Sequence, residues 1–268
     1  MYSALWMFAW DLQDEGVEKV LGFAADCGLS AVQIASSYHA GNFILGHNPK
    51  RVAYFPEDGV AYFHPHLEVY ADTKLKPKIA EVSRGTDWFA EAGRRLDRFG
   101  LKLVAWTVCC HNTRLGLLHP DCVTRNAFGD PYYHALCPSN DDVRAYVVAL
   151  VKDLATHYPM YAVQLESPEF MGLVHGHHHE RQGVALDPLS VSLLSLCFCE
   201  PCMRKAGERG IDARKLRATL REHLRAVLDR APFYPLDRPS DMPGMVAACP
   251  ELGRFVEFRE QVALSLLK

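Results

Sequence analysis

Four short apolar segments, separated by amphipathic helical patterns, constrain this chain more than any other feature. Residues 5–10, 31–35, 102–106 and 161–165 read as buried strands. Between the first two lies a helix with Val17, Val20, Leu21 and Ala24 on one face, which Asp14 can cap and Gly28 can end. Before the third lies one with Phe89, Ala92, Leu96 and Phe99, started at Thr86 or Asp87 and closed by Gly100. Before the fourth, Ser139 or Asn140 caps a helix with Val143, Tyr146, Val147, Leu150, Val151 and Leu154 on one stripe. Parallel strands need such crossovers, so the alternation predicts an α/β fold with a parallel sheet.

Two parallel architectures fit. A doubly wound nucleotide-binding sheet would carry a glycine-rich turn after its first strand; here that turn is Trp10-Asp11-Leu12-Gln13-Asp14. The pattern therefore favours a (β/α)8 TIM barrel. Four βα units are legible and about eight close a barrel. Residues 1–268 are expected to be the N-terminal half of one catalytic barrel, with the C-terminal units missing and long βα loops at 40–84 and 111–139. Residues 168–202 form a His/Cys-rich, metal-binding loop insertion in this reading. Helices over about 203–209 and 212–230, a Pro-rich loop over 232–249 and a last helix over 252–267 follow.

Composition narrows the class. A net charge of −3 and a pI near 6.5 give no footprint for nucleic acid. No apolar run approaches the roughly 20 residues of a membrane span. The first residues lack the basic region of a signal peptide, so a cytoplasmic protein is expected. Nine cysteines in such a protein point to metal more than to disulfides. Cys27 reads as a small buried hydrophobe on a helix face.

Cys197-Phe198-Cys199-Glu200-Pro201-Cys202 places three thiols within six residues, a spacing that lets the backbone wrap one ion. Cys137 is the preferred fourth ligand, with Cys109, Cys110 and Cys122 as alternatives. Four thiolates leave no open position, so the expected cofactor is a structural Zn2+. A second cluster, His175-Gly176-His177-His178-His179-Glu180, could serve a catalytic metal, contact substrate or be solvated.

Cys137-Pro138-Ser139-Asn140, the helix running to His157-Tyr158, the strand with Gln164, the acidic residue at its end and the Cys-x-Cys-x-x-Cys cluster together resemble the β-galactosidases of glycoside hydrolase family 42. The resemblance covers residues 135–205 and implies that Cys137, Cys197, Cys199 and Cys202 bind zinc. It further implies a carbohydrate substrate and a homo-oligomer, a trimer in that family. The chain departs from the family at its acid/base motif: Gln164-Leu165-Glu166-Ser167-Pro168-Glu169 contains no Asn-Glu pair. The family nucleophile comes from a late strand, expected beyond Lys268.

In a barrel, catalytic groups sit at the C-terminal strand ends. Glu166 is accordingly the preferred acid/base, with Glu169 as alternative, because glycoside hydrolysis needs carboxyl groups flanking the bond. Asp11, His39, Trp106, His111, His175 and His177 are candidate substrate contacts; helix capping for Asp11 and plain core for Trp10, Trp106, Tyr38 and Phe170 are the alternatives. The expected function is glycoside hydrolysis. The other readings are a metal-dependent hydrolase using residues 175–179 and a non-catalytic carbohydrate-binding barrel.

Overall fold

The computed structural model describes residues 2–174, 183–229 and 238–268. The chain divides into two compact units, Met1–Leu115 with Ala145–Pro168 and Gly116–Arg144 with Glu169–Lys268.

The first unit is built on a parallel sheet of β1 (Ala4–Met7), β2 (Ala31–Tyr38), β3 (Lys102–Val108) and β4 (Met160–Glu166), in that order. Leu5 pairs with Val32, Val32 with Leu103, and Ala105 with Val163. A short strand, Val60–Ala61, adds to the end of β2 in antiparallel sense. The fold is thus α/β, with a parallel sheet interleaved with helices, consistent with an incomplete (β/α) barrel core. The two central strands are buried nearly throughout, as a sheet covered on both faces requires. β4 keeps Tyr161, Ala162 and Gln164 exposed.

The helices that connect these strands end as their sequence dictates. Asp87 accepts the amide of Ala90 at the start of α3 (Trp88–Gly93). Asn140 accepts the amide of Val143 at the start of α4 (Asp141–His157). Gly28 and Gly100 adopt φ of 73° and 65°, left-handed conformations that favour glycine, where helical stretches stop.

Four expectations are corrected. The first strand stops at Met7 rather than at residue 10. The Asp11 carboxylate accepts the Phe8 amide at 2.9 Å and turns the chain directly into α1 (Ala9–Glu15). Asp14 then lies inside α1, paired with Arg51 at 2.6 Å, and Gly16 precedes α2 (Val17–Asp26). Cys27 caps the end of α2 and is exposed, because the helix ends before its apolar face would cover the thiol. Within 40–84, read as a long loop, Tyr62, Phe63, Tyr70 and Leu75 are fully buried, so this segment contributes to the core.

The second unit is mostly helical. A hairpin of Val123–Arg125 and Pro131–Leu136 is followed, later in the chain, by α5 (Pro188–Leu194), α6 (Glu200–Gly207), α7 (Ala213–Asp229), α8 (Met242–Ala248) and α9 (Pro250–Leu266). Leu216, Leu220 and Leu224 of α7 meet Phe255, Phe258 and Val262 of α9 in one core cluster, with Leu193 and Phe198. α5 occupies part of the stretch read as loop, and α8 part of the Pro-rich segment. Each begins at an aspartate that accepts an amide of its first turn, with proline following in the first turn, a start signal that composition alone masks.

Candidate functional site

The sulfurs of Cys137, Cys197, Cys199 and Cys202 all lie within 4.8 Å of one another, and all four residues are buried. Cys137 Sγ is 3.4 Å from Cys199, 3.5 Å from Cys202 and 3.8 Å from Cys197. Those separations far exceed the roughly 2.05 Å of a disulfide. They are separations of groups that can share one metal ion.

The backbone around the cluster is tied on both sides. The Arg125 amide donates to Cys197 Sγ at 3.4 Å, and the Phe198 amide donates to the Arg125 carbonyl at 2.7 Å. The Cys137 amide donates to the Cys122 carbonyl, and Lys205 Nζ reaches the Ser139 carbonyl at 2.7 Å. Donors aimed at sulfur stabilise the ligating thiolate form.

Burial raises the Cys137 and Cys202 thiols well above the usual range. Burial also works against Cys197, yet thiol donors from Cys137, Cys199 and Cys202 hold it well below that range. Phe170 packs against the cluster, and the Arg259 guanidinium stacks on its ring at 4.5 Å. Burial pushes the Arg259 pKa down, while negative charge on Cys197, Cys202 and Cys137 opposes the shift. Phe170, read as a rim aromatic, is therefore part of this packing, and Arg259 is a neighbour that the cysteine spacing could not announce.

The second arrangement belongs to the sheet of the first unit. Trp106 lies opposite Gln164 in the β3–β4 ladder, so Glu166, two residues on, shares its face. The Trp106 indole N–H donates to Glu166 Oε2. Glu166 Oε1 has no hydrogen-bond partner among the described residues. Tyr38 meets Trp106 edge-on with centroids 5.0 Å apart, and Trp6 stacks on Trp106 at 5.3 Å. Trp6 is 62% exposed, an open aromatic face next to a half-buried carboxylate. Burial, followed by the nearby Glu166 charge, pushes the Tyr38 phenol up to about 12, which keeps it a neutral donor.

The other proposed contacts distribute as follows. His39 stacks on Tyr38 at 4.3 Å and on His111 at 4.1 Å, so Trp106, Tyr38, His39 and His111 form one continuous rim with Glu166. His39 Nδ1 lies 2.6 Å from the Ala40 carbonyl, and His111 is buried. Asp11 caps α1 and borders a hollow of about 350 Å³ with Glu15, His47 and Trp6, the last shared with the rim; burial raises its carboxyl pKa. Trp10 is fully buried and belongs to the core. Glu169 is exposed, and among the described residues nothing holds its carboxylate. Residues 175–182 lie outside the described residues, including His175, His177 and the rest of that cluster.

No family model matches the chain, and no curated protein matches it in sequence. Several solved structures resemble it. An α-L-fucosidase isoenzyme 2 from Paenibacillus thiaminolyticus is 13% identical over 80% of this chain and 27% of that one, with a TM-score of 0.45. A β-galactosidase from the haloarchaeon Halorubrum lacusprofundi is 16% identical over 99% of this chain and 34% of that one, with a TM-score of 0.46. A β-galactosidase from the psychrophilic Marinomonas ef1 is 9% identical over 98% and 35%, with a TM-score of 0.44. The chain thus spans about a third or less of the length of these structures. The likeness is distant, is shared among glycosidases of different specificity and does not single out family 42. Among the described residues, no helix is long and apolar enough to cross a membrane.

Proposed function

We propose that this chain carries the acid/base part of a carbohydrate-active hydrolase, with Glu166 as the proton-transferring group and a structural zinc bound by Cys137, Cys197, Cys199 and Cys202. The observation that carries the catalytic reading is the asymmetry of the Glu166 carboxyl. Oε2 is anchored by the Trp106 indole, while Oε1 is left to exchange a proton with a glycosidic oxygen. Trp6 and Trp106 offer ring faces of the kind on which a sugar stacks, and Tyr38, held neutral, can donate a hydrogen bond to a hydroxyl. His39 and His111 extend this rim and are the next substrate contacts. Asp11 is assigned to helix capping first, and Glu169 is the alternative acid/base.

The zinc reading rests on the donor set. Four thiolates at about 2.3 Å from an ion, arranged as a tetrahedron, stand about 3.8 Å apart. The separations from Cys137, 3.4 to 3.8 Å, approach that edge length. Zinc in such a closed set supplies cross-linking and folding energy, not catalysis. Here it would fasten the segment after the hairpin to the segment that leads into α6.

The catalytic assignment is tested, in protein that also carries the nucleophile, by turnover of aryl glycosides with good and poor leaving groups. Glu166→Gln is expected to lower the rate by about 10²–10⁴-fold on poor leaving groups and much less on good ones, because only the former need the proton. Equal rates for wild type and Glu166→Gln on poor leaving groups would remove Glu166 from the reaction. Loss confined to Glu169→Gln would transfer the role there.

A further inference from the structure

Outside both arrangements, three ligating side chains of the first unit converge. His66 Nδ1 is 2.9 Å from Asp153 Oδ1, and His157 Nδ1 is 2.8 Å from the same oxygen. The three donor atoms lie within 4.8 Å of one another. We propose that His66, Asp153 and His157 form a second metal site, for a divalent transition metal of the zinc type, independent of the four cysteines.

The surroundings of Asp153 support this assignment. Its side chain is fully buried, and its ion-pair partners among the described residues are these two imidazoles. Oδ2 is occupied by the His66 amide at 2.9 Å, which fixes the carboxylate and leaves Oδ1 facing both rings. His157 Nδ1 also lies 3.1 Å from the Asp153 carbonyl, as expected for residues four apart on α4. The rings stack with centroids 3.6 Å apart and planes 16° from parallel. A single divalent ion would engage both ring nitrogens and the oxygen together.

The donor type and spacing agree. Two imidazole nitrogens and one carboxylate oxygen suit zinc and its first-row neighbours, whereas calcium and magnesium favour all-oxygen sets. Ligands about 2.1 Å from an ion stand about 3.4 Å apart in a tetrahedron and about 3.0 Å apart at the right angles of five- and six-coordinate sites; the 2.8 and 2.9 Å found here lie nearest the second case. Three protein donors leave coordination positions open, and both histidine side chains are partly exposed, so the ion could reach the site from solvent. The four-thiol cluster is closed by comparison.

The test uses the full chain loaded with one equivalent of zinc and titrated with further Zn2+ alone, with bound metal counted after dialysis. Wild type is expected to take up a second equivalent. His66→Ala and His157→Ala should each weaken that equivalent by more than the roughly tenfold that a supporting hydrogen bond is worth, and leave the first untouched. Replacing cadmium for zinc gives a readout that a purely structural triad would not move: a ¹¹³Cd resonance of nitrogen and oxygen ligation, separate from the sulfur-ligated one and absent from both variants. Two outcomes overturn the proposal. One is wild type that binds no second equivalent at roughly 1 mM free Zn2+. The other is a second equivalent that survives in both variants, which would place it elsewhere, for instance on residues 175–179. Both histidines are partly exposed, so either variant is expected to fold; an unchanged circular-dichroism spectrum and melting curve check this.

Discussion

The four-thiol cluster and the Glu166 rim solve opposite problems. Every donor in the cluster is of one kind, buried and pointed at its three companions. Nothing is left over for a substrate, and the outcome of such an arrangement is cross-linking. At the rim, one oxygen of one carboxylate is held by an indole and the other has no partner among the described residues, and the ring of Trp6 is largely exposed. Unsatisfied capacity beside an aromatic face is what a substrate can use. The difference teaches that a metal-ligand motif can be the most specific signal in a sequence and still say nothing about the reaction.

The comparison breaks most readily at the cluster. Replacing Cys199 by serine, or removing metal with a chelator, is expected to destabilise the second unit by more than about 4 kcal/mol, the scale of losing a structural metal. Denaturant unfolding followed by circular dichroism, with limited proteolysis to locate the loosened segment, measures the effect. Stability unchanged after complete metal removal would put the cluster on the same footing as incidental buried thiols.

A smaller effect is expected at the rim, and of another kind. Trp106→Phe keeps the stacking on Trp6 but deletes the donor to Glu166. A hydrogen bond to a charged group is worth roughly 1.5–3 kcal/mol, so turnover should fall by at least about tenfold while the second unit unfolds as before. If turnover is unchanged, the indole packs and does not anchor.

Tyr38 gives a spectroscopic version of the same comparison. Its folded pKa, pushed up to about 12 by burial and then by the Glu166 charge, stands above the ordinary 10 of an unfolded tyrosine. The neutral phenol therefore contributes stability that is fully present below pH 10 and is lost as the pH rises through 12. Phenolate absorbance, taken as the difference between wild type and Tyr38→Phe, should show that ionisation near 12, and Glu166→Gln should lower it. A Tyr38 midpoint near 10 would mean that the phenol is not buried, and a midpoint unmoved by Glu166→Gln would mean that the carboxylate is not its neighbour.

The smallest expected effect lies next to Glu166. Ser167 is, among the described residues, the non-glycine residue with a positive φ, 49°, and its carbonyl accepts the Cys110 amide at 3.0 Å. A left-handed conformation costs a residue with a side chain roughly 1–2 kcal/mol. Ser167→Gly should then change stability by no more than about 1 kcal/mol, in the favourable direction, as thermal denaturation would show. A clear destabilisation would mean that the serine side chain matters more than the backbone.

The parts legible in the sequence were those set by short-range pattern. The four strands, the caps at Asp87 and Asn140, and the glycines at 28 and 100 each depend on residues a few positions apart. So does the Cys197-x-Cys199-x-x-Cys202 turn, and the family resemblance pointed to Cys137, which the fold brings to the other three. What stayed hidden depends on pairing across the chain. Trp106 and Glu166 are 60 residues apart and meet only because β3 and β4 lie in one particular register. Asp153 and His157 are visible as an i, i+4 pair, but their partner His66 is 87 residues from Asp153. The early start of α1 has a local cause that the apolar run masks: the Asp11 carboxylate accepts the Phe8 amide where the run alone suggests a continuing strand. The aromatic residues at 62, 63 and 70 were buried by tertiary packing that overrode the polarity of their neighbours.

Zinc-edge X-ray absorption on protein carrying a single equivalent of the metal tests most directly whether the four thiols share one ion. Four sulfur neighbours at about 2.3 Å and no nitrogen or oxygen in the first coordination sphere are expected. A sphere dominated by nitrogen and oxygen, or one with two sulfurs or fewer, would contradict the account.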